Sequence, residues 1–316
     1  MLLGLFLNIN WVSYLIKKGK YMDGIILINK EKNCTSHDVV NRVKHILNEK
    51  VGHTGTLDPS ATGLLPILIG KGTKLSKYLI NHDKTYEVVL KLGQKTDTAD
   101  SEGKILEEKV VNLDSLKKEN ILQVLKSCKG KQKQIPPMYS AIKLKGKKLY
   151  EYARKNISVE IEPREIEIYD IQLNDIDKNE NLIYFTVACS KGTYIRSLCE
   201  NIAEKLNTVG YMKELNRVKV GIFDIKDSIK ISDLENNKDN EEYLSHNVIS
   251  IEDLFFRIYG NKRIVLPNNK VELFINGVQL TMTKDNGLYL IYNESEKFIG
   301  IGVVSNNLLK RDLCLK

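Results

Sequence analysis

The chain has 316 residues, of which 42% are hydrophobic and 28% are charged, and its formal net charge is +8. This composition is typical of a globular protein and excludes a disordered or collagen-like chain. The length allows one large domain, or a large domain with a small partner. Positive charge is concentrated between residues 126 and 156, which hold ten Lys or Arg residues and one acid, Glu151. Such a run is either a solvated surface or a surface that binds an anion.

The first 21 residues begin with an apolar run but lack the pattern of a targeting segment. The run from Met1 to Ile16 is followed, not preceded, by positive charges, and no small-residue cleavage site comes after it. The run is also short for a membrane span. A second methionine, Met22, stands directly before a clean strand pattern that begins at Gly24. The sequence therefore predicts that residues 1–21 are a non-native leader and that the working protein starts at Met22.

From Met22 onward the pattern predicts both helices and strands. The strand at Gly24 is followed by a helix that Thr35 or Ser36 can cap, with apolar residues at helical spacing. A loop rich in Gly and Thr then leads to an apolar strand. Later elements are a short helix near 75–80, strands at 86–92, 166–173 and 182–189, and helices at 114–128 and 194–206. Because strands and helices do not alternate strictly, we expect an α+β fold.

A change of composition after residue 232 predicts a domain boundary. Residues 233–242 are acidic, rich in Asn and nearly free of large apolar side chains, as a linker would be. Beyond residue 262, Gly and Asn turns separate short runs that are predicted as strands: 265–267, 271–275, 287–291 and 298–304. The prediction is a domain at 22–232, a linker at 233–261 and a small β-rich module at 262–316.

The five cysteines and five histidines form no cofactor or metal motif. The cysteines, an odd number, include no Cys-x-x-Cys pair. This favours reduced thiols in the cytosol over a disulfide framework or a structural zinc site. The histidines do not form a His-Glu-x-x-His pattern. We therefore expect no metal, no cofactor and a cytoplasmic location.

One carboxylate, Asp58, lies in the loop Gly-His-Thr-Gly-Thr-Leu-Asp-Pro of residues 52–59, just before an apolar strand. The loop is not a phosphate-binding loop, because the pattern G-x-x-x-x-G-K-[ST] is absent. Two interpretations remain from these residues alone. Asp58 either initiates a structural turn at Pro59, or it is a preorganised catalytic carboxylate on a loop held by a rigid strand.

Other segments favour the catalytic interpretation. The loop 52–59, together with Ala-Thr-Gly at 61–63, resembles the catalytic signature of the tRNA pseudouridine synthase B family. The resemblance continues, in the family's order, through residues 84–86, 93–98, 134–141, 146–154 and 192–198. It implies the fold of that family, with a mixed, largely antiparallel sheet in the catalytic domain. More weakly, the residues from 262 resemble a PUA-like RNA-binding module.

The resemblance implies roles for particular residues. Asp58 would be the catalytic carboxylate, Arg196 would pair with it, and Tyr86 would stack on the uracil and take the proton from C5. His53 would fill the space that a flipped base leaves. The remaining substrate-binding residues would be Lys30, Leu215, Gly52, Thr54 and Tyr194.

The chain departs from the pattern of the family at two places. Lys30-Glu31 and Asn33 replace the usual Lys-Pro and Gly before Thr35, which concerns the conformation of the first loop and not the chemistry. Near Leu215, the usual pair of arginines is Asn216-Arg217. The second departure predicts that one of two phosphate contacts is missing.

The resemblance implies a cytosolic bacterial enzyme that isomerises uridine to pseudouridine at position 55 of the tRNA T-loop, without a cofactor. The expected partner is tRNA, bound through its T-arm and, at the C-terminal module, through its acceptor stem. The basic stretch 126–155 would contact phosphates. The chain would be a monomer with no obligate protein partner and no membrane contact. Two alternatives are a guide-RNA-dependent relative, which shares the Asp loop, and a tRNA-folding chaperone in which Asp58 is only structural.

Overall fold

The structure is a computed structural model that describes residues 23–79, 82–112, 116–155, 157 and 159–315. The predicted leader, residues 1–21, lies outside the described residues. Among the helices of the described segments, none has the length and apolar character needed to cross a membrane.

One large sheet forms the centre of the molecule. The strands from Gly24 to Ser250 are β1 (Gly24–Lys30), β2 (Val51–His53), β3 (Thr62–Ile69), β4 (Lys84–Leu92), β5 (Gln94–Thr96), β6 (Ile105–Glu108), β7 (Gly130–Gln134), β8 (Lys143–Leu144), β9 (Lys147–Lys148), β10 (Arg164–Asp177), β11 (Leu182–Cys189), β12 (Gly210–Val220), β13 (Phe223–Asp224) and β14 (Val248–Ser250). Of these, β5 pairs with β6 and β8 with β9 in two small hairpins, and the others form the large sheet. The order across the sheet is β14-β1-β3-β12-β4-β11-β10-β7, with β2 on β3 and β13 on β12. The β12–β3 pair is parallel, and the other pairs along this path are antiparallel. The predicted α+β class and largely antiparallel sheet are confirmed.

Along the chain, the helices lie between the strands of this sheet, except for the last two, which follow its last strand. They are α1 (Ser36–Leu47), α2 (Ser76–Leu79), α3 (Lys118–Ser127), α4 (Leu149–Ala153), α5 (Ile195–Lys205), α6 (Ile231–Asn236), α7 (Glu241–Asn247), α8 (Ile251–Tyr259) and α9 (Asn268–Ile275). Of the two predicted caps for α1, Thr35 is the one used. Its side chain accepts the N–H of Asp38, whose carboxylate accepts the N–H of Thr35 in return. Ser36 is therefore free to contact another segment.

The register of the central strands decides which side chains meet. Tyr86 of β4 lies opposite Arg217 of β12, and Val88 lies opposite Leu215. Because side chains alternate between the two faces of a strand, Tyr86, Leu215 and Arg217 share one face. On this face α3 and α5 cover the adjoining apolar side chains, including Val88 and Phe185. Beside Tyr86, this face of the sheet borders a cavity.

Residues 233–261, which were predicted to form a linker, are folded onto the sheet. Leu234 of α6 and Leu244 of α7 are buried in one cluster with Val43 of α1, and β14 pairs with β1. The burial of these two leucines was not predicted, because they are ten residues apart in an acidic, Asn-rich segment. The segment therefore does not have the structure of a linker, and the domain boundaries at 22–232 and 262–316 stay a prediction.

The C-terminal residues form a second sheet of strands β15 (Arg263–Leu266), β16 (Leu280–Thr281), β17 (Gly287–Asn293), β18 (Phe298–Ser305) and β19 (Leu308–Cys314), in the order β15-β17-β18-β19-β16. The predicted strand at 271–275 is wrong, because these residues belong to α9. Their partly alternating pattern suggested a strand, but the side chains that pack inward are Val271 and Phe274, which are three residues apart as on a helix. Pro267, at the N-cap, is also suited to a helix start.

The C-terminal sheet shares a hydrophobic cluster with the first sheet. Leu290, Ile301 and Leu313 of the C-terminal sheet pack in one cluster with Leu68 of β3 and Leu254 of α8. Helix α8 lies between the two sheets and contributes to this cluster along one face. The packing of the C-terminal sheet is therefore coupled to that of the strand that follows the Asp58 loop.

We expect Leu254→Ala to lower the free energy of unfolding by about 2–5 kcal/mol, because it opens a cavity at a fully buried position between the two sheets. The matched control is Phe256→Ala on the same helix, whose side chain is 54% exposed. Urea unfolding of both variants measures the difference. Equal losses for the two variants would show that the buried face of α8 does not hold the sheets together.

Candidate active site

The backbone around Asp58 forms a tight turn. The N–H of Ala61 donates to the carbonyl of Asp58 at 3.1 Å, with Pro59 at the second position, where its fixed φ favours such a turn. The structural interpretation of the Asp-Pro pair is therefore correct for the backbone. It leaves the carboxylate free to act, so the two interpretations of Asp58 are compatible.

Neighbouring elements fix the loop from several sides. The Ser36 hydroxyl donates to the carbonyl of Leu57 at 3.0 Å and accepts the N–H of Leu57 at 2.8 Å. The ammonium group of Lys30, at the end of β1, donates to the carbonyl of Pro59 at 3.2 Å, and the N–H of Asn33 donates to the same oxygen at 3.0 Å. The carboxylate is thus held on a preorganised backbone.

Arg196, in the first turn of α5, is the charged partner of Asp58. Its Nε lies 3.2 Å from Oδ2 of Asp58, and its side chain is 6% exposed against 35% for that of Asp58. Nη1 lies 3.5 Å from Oδ2 of Asp100. The guanidinium also donates to the carbonyls of Thr98 at 3.2 Å and Tyr139 at 2.9 Å. Four contacts of this kind leave Arg196 one orientation, so it can orient the Asp58 carboxylate.

Asp58 and Arg196 open into a cavity of about 550 Å³, whose lining includes Tyr86, Leu215 and Tyr194. Tyr86 and Leu215 are buried and come from adjacent strands, while Tyr194 precedes α5. The peptide group of Tyr194 is fixed by Gln134, whose side-chain amide accepts its N–H at 2.8 Å and donates to its carbonyl at 3.0 Å. The cavity therefore combines a carboxylate, a guanidinium, aromatic rings and an aliphatic wall.

The other residues predicted for substrate binding lie beside this cavity and are not part of its lining. Lys30 is buried and supports the loop through Pro59. Thr54 is buried, and Gly52 pairs with Leu68 in the sheet. His53 is part-exposed, and its Nδ1 accepts the N–H of Gly55 at 3.2 Å. The direct contact of these four residues with a substrate stays a prediction.

Two residues of the site were missed from the sequence. Asp100 follows the segment 93–98 by two residues and is the second acid on Arg196. Ser36 was considered only as a helix cap, although it holds the loop through Leu57. Arg217, the remaining arginine of the usual pair, is buried under the loop and lines the cavity, and its contact with a phosphate stays a prediction. Asn216 points to the opposite face, where it donates to Glu87 at 2.9 Å.

The surroundings of the two functional groups oppose their ionisation. Burial raises the pKa of Asp58 above the usual range of an aspartate; the Arg196 guanidinium opposes this rise, and the Asp100 carboxylate adds to it. Burial also raises the pKa of Tyr86 to about 12, against the effect of the nearby Arg217 guanidinium. Both groups thus need a positive neighbour to carry a negative charge.

We expect the acid limb of the pH–rate profile to follow Asp58. Because the carboxylate has to be ionised, activity falls as the pH drops through its raised pKa. Arg196→Gln removes the group that opposes the rise, so the limb should move to higher pH. Arg196→Lys keeps the charge and should move it less. Arg42→Gln, which removes an exposed ion pair with Glu235, is the control, and an unmoved limb in Arg196→Gln would contradict this assignment.

A second depression, of about 770 Å³, lies on the opposite face of the sheet and is lined by Glu87, Glu214 and Asn216 among others. Two of its acids already have partners, since Glu214 pairs with Lys32 at 2.9 Å and Glu87 accepts from Asn216. Within the described part of the chain, no group of three or more His, Cys, Asp or Glu side chains is arranged to hold a metal ion. The smaller cavity, with Asp58, is therefore the better candidate for an active site.

The fold and the sequence both match proteins of known class. A Cbf5-Nop10-Gar1 complex contains a chain of the same fold, with a TM-score of 0.67 and 22% identity over 96% of this chain and 87% of that chain. Residues 44–195 match the family model described as TruB family pseudouridylate synthase (N terminal domain). Residues 196–255 match the model of the tRNA pseudouridylate synthase B C-terminal domain. These matches define the class as a pseudouridylate synthase.

Curated relatives support the same class over most of the chain. The tRNA pseudouridine synthase B of Clostridium kluyveri is 43% identical over 289 residues, which are 89% of this chain and 96% of the relative. The protein of the same name from Clostridium perfringens is 44% identical over 286 residues, 89% of this chain and 95% of the relative. That of Mesoplasma florum is 42% identical over 260 residues, 80% and 90% of the two chains. The chain belongs to the TruB family of pseudouridylate synthases.

Proposed function

We propose that this protein isomerises uridine to pseudouridine at position 55 in the T-loop of tRNA. The observation that carries the proposal is the Asp58–Arg196 pair, which opens into a cavity beside Tyr86 and Leu215. This arrangement suits a reaction on a nucleoside, since it offers a carboxylate for the sugar and a ring and an aliphatic wall for the base. The family membership and the tRNA pseudouridine synthase B relatives support the same reaction.

The reaction breaks the bond from C1′ to N1, turns the uracil within the site and rejoins it through C5. Two routes suit a single carboxylate. Asp58 can attack C1′ as a nucleophile, as in retaining glycosidases, or it can assist loss of the proton from C2′. Both routes need Asp58 ionised and oriented, and Arg196 supplies the charge and the orientation. No electron is transferred, so the isomerisation as written consumes no co-substrate.

Tyr86 and Leu215 are proposed to hold the base from two sides while it turns. Tyr86 presents an aromatic face for stacking and a hydroxyl for the proton on C5. Because the target uridine is folded into the T-loop, it has to be flipped out, at a cost of a few kcal/mol. His53, at the end of β2 beside the loop, is the proposed residue for the vacated space.

The basic stretch 126–155 is the proposed surface for the phosphates of the T-arm. It carries exposed lysines on β7, at Lys131 and Lys133. The ring centroid of Tyr150 lies 5.4 Å from the Lys148 ammonium and 5.3 Å from the Arg154 guanidinium. Tyr150 also lines the Asp58 cavity, so the basic surface is continuous with the site. The C-terminal module is proposed to add contacts to the acceptor stem. We further propose that the chain acts as a monomer in the cytosol.

The test is incubation of the purified chain with an unmodified T-arm hairpin, followed by mapping of pseudouridine. Product at the uridine equivalent to position 55 is expected with no RNA guide, and a hairpin with cytidine at this position should stay unmodified. Product that appears only when a guide RNA and further proteins are added would indicate a guide-dependent enzyme instead. Folding of tRNA without any product would indicate a chaperone.

A further inference from the structure

Arg217 is a buried cation beneath the Asp58 loop. The residue is 1% exposed. Nε donates to the carbonyl of Leu64 at 2.8 Å, Nη2 donates to that of Gly55 at 3.1 Å, and Nη1 lies 3.4 Å from that of Thr56. Arg217 also lies opposite Tyr86 in the register of β12 and β4, and both residues line the Asp58 cavity. One side chain thus joins the loop to the strand that follows it and lies beside the aromatic residue of the site.

The sheet brings these groups together from distant parts of the chain. Arg217 lies opposite Tyr86 on one side and beside Gly63 on the other. Gly63 has φ +106°, and a Cβ there would collide with the backbone of Arg217. Glycine is therefore required for β3 to approach β12 closely enough for Arg217 to reach the loop. This local packing brings the guanidinium within reach of both the loop and Tyr86.

The charge of Arg217 is not neutralised by an acid. None of the ion pairs formed within the described residues involves Arg217, and its hydrogen-bond acceptors are carbonyl oxygens. Burial of a cation without an acidic partner is costly. A methionine of similar length would avoid that cost, so the charge points to a role in which negative charge develops beside it.

We propose that Arg217 is a positioning residue for the proposed isomerisation: it fixes the Tyr86 hydroxyl relative to the Asp58 loop and stabilises negative charge on the phenol oxygen. The inference rests on the proposed function, and it assigns to Arg217 a role through Tyr86 and not through a phosphate. In this proposal Arg196 orients the carboxylate of Asp58, and Arg217 stabilises the phenolate of Tyr86.

The chemistry of the last step needs such a group. After C1′ has joined C5, that carbon still carries a proton. The phenol of Tyr86 first gives its own proton to solvent, and as the phenolate it takes the proton from C5. The electron pair of the C5–H bond returns to the uracil ring, and Tyr86 becomes neutral again. Because burial disfavours the phenolate, a fixed cation on the neighbouring strand lowers the barrier of this step.

The test is Arg217→Lys, studied in single turnover with a T-arm that carries uridine or 5-deuterouridine at the target. Lysine keeps a charge but cannot contact the loop carbonyls and the phenol together. We expect T-arm affinity close to that of the parent and a rate reduced by about 10- to 100-fold, the range for loss of one hydrogen bond to a charged group. The C5 deuterium isotope effect should increase, because removal of the C5 proton becomes rate-limiting. In the Tyr86→Phe background the same change should cost much less, since the group that it serves is absent.

Each other outcome has a definite meaning. A slower Arg217→Lys without an increased isotope effect would place the defect at glycosidic cleavage and overturn the proposal, because the residue would then act through the Asp58 loop alone. Additive losses in the double variant would overturn it too. Arg217→Gln, which keeps a hydrogen-bonding group without charge on a shorter side chain, is the second variant and should be slower than Arg217→Lys. If neither variant folds, Arg217 serves the fold and the proposal is rejected. A parent chain that makes no pseudouridine would instead refute the proposed function.

Discussion

Asp58→Asn is expected to abolish pseudouridine formation while it leaves T-arm binding nearly unchanged. Asparagine keeps the size of the side chain, and the backbone turn from Asp58 to Ala61 does not depend on the carboxylate. The amide has no charge to stabilise C1′, is a poor nucleophile and cannot form the ion pair with Arg196. Single-turnover assays on the T-arm, combined with a binding titration, measure both quantities.

The matched control for this variant is Asp170→Asn on β10, which removes an exposed ion pair with Lys129. Lys129 stays available to the phosphates of the T-arm, so turnover should be unchanged. Mass spectrometry of the Asp58→Asn chain excludes reversion by deamidation. Turnover near the parental rate in verified Asp58→Asn would show that the carboxylate is structural, as in the chaperone alternative.

For Tyr86 we expect the ring and the hydroxyl to separate in two variants. Tyr86→Phe keeps the aromatic face, so it should bind the T-arm like the parent, while the step after glycosidic cleavage slows by about 10²–10⁴-fold, the usual range for a positioned acid or base. Tyr86→Leu should also lose about 1–3 kcal/mol of binding free energy, the contribution of stacking on one base. Affinity and single-turnover rate together distinguish the two effects.

Tyr184→Phe is the control for Tyr86→Phe, because Tyr184 lies on the adjacent strand but lines the depression on the opposite face of the sheet. It should alter neither affinity nor rate. Parental rates in Tyr86→Phe would exclude the hydroxyl as the base, and parental affinity in Tyr86→Leu would leave Tyr86 as a core aromatic.

The sequence predicted the residues of the site that lie within recognisable motifs. The structure brings Asp58, Tyr86 and Arg196 to one cavity, although they come from a loop, a strand and a helix far apart in the chain. Asp100 and Ser36 were missed because their roles depend on the position of another segment. For Ser36, a hydroxyl at the start of a helix was already explained as a cap. Their contacts to Arg196 and Leu57 are tertiary and leave no local pattern.

Other features were hidden by composition and spacing. Arg217 stands in a basic segment, and its burial depends on the parallel pairing of β12 with β3. Leu234 and Leu244 were too widely spaced to indicate burial in a polar segment. Residues 271–275 are too few to distinguish a strand from a helix by periodicity. In each case the deciding contact is made by residues elsewhere in the chain.

The cluster that the two sheets share bears on how the molecule unfolds. Leu290 and Leu313 of the C-terminal sheet cannot leave it without exposing Leu68 of β3 to water. We therefore expect the two sheets to lose their packing in one cooperative transition and not to melt as independent units. Heat or denaturant that loosens the C-terminal sheet should also release the strand that follows the Asp58 loop, so that activity and the packing of the C-terminal sheet are lost together.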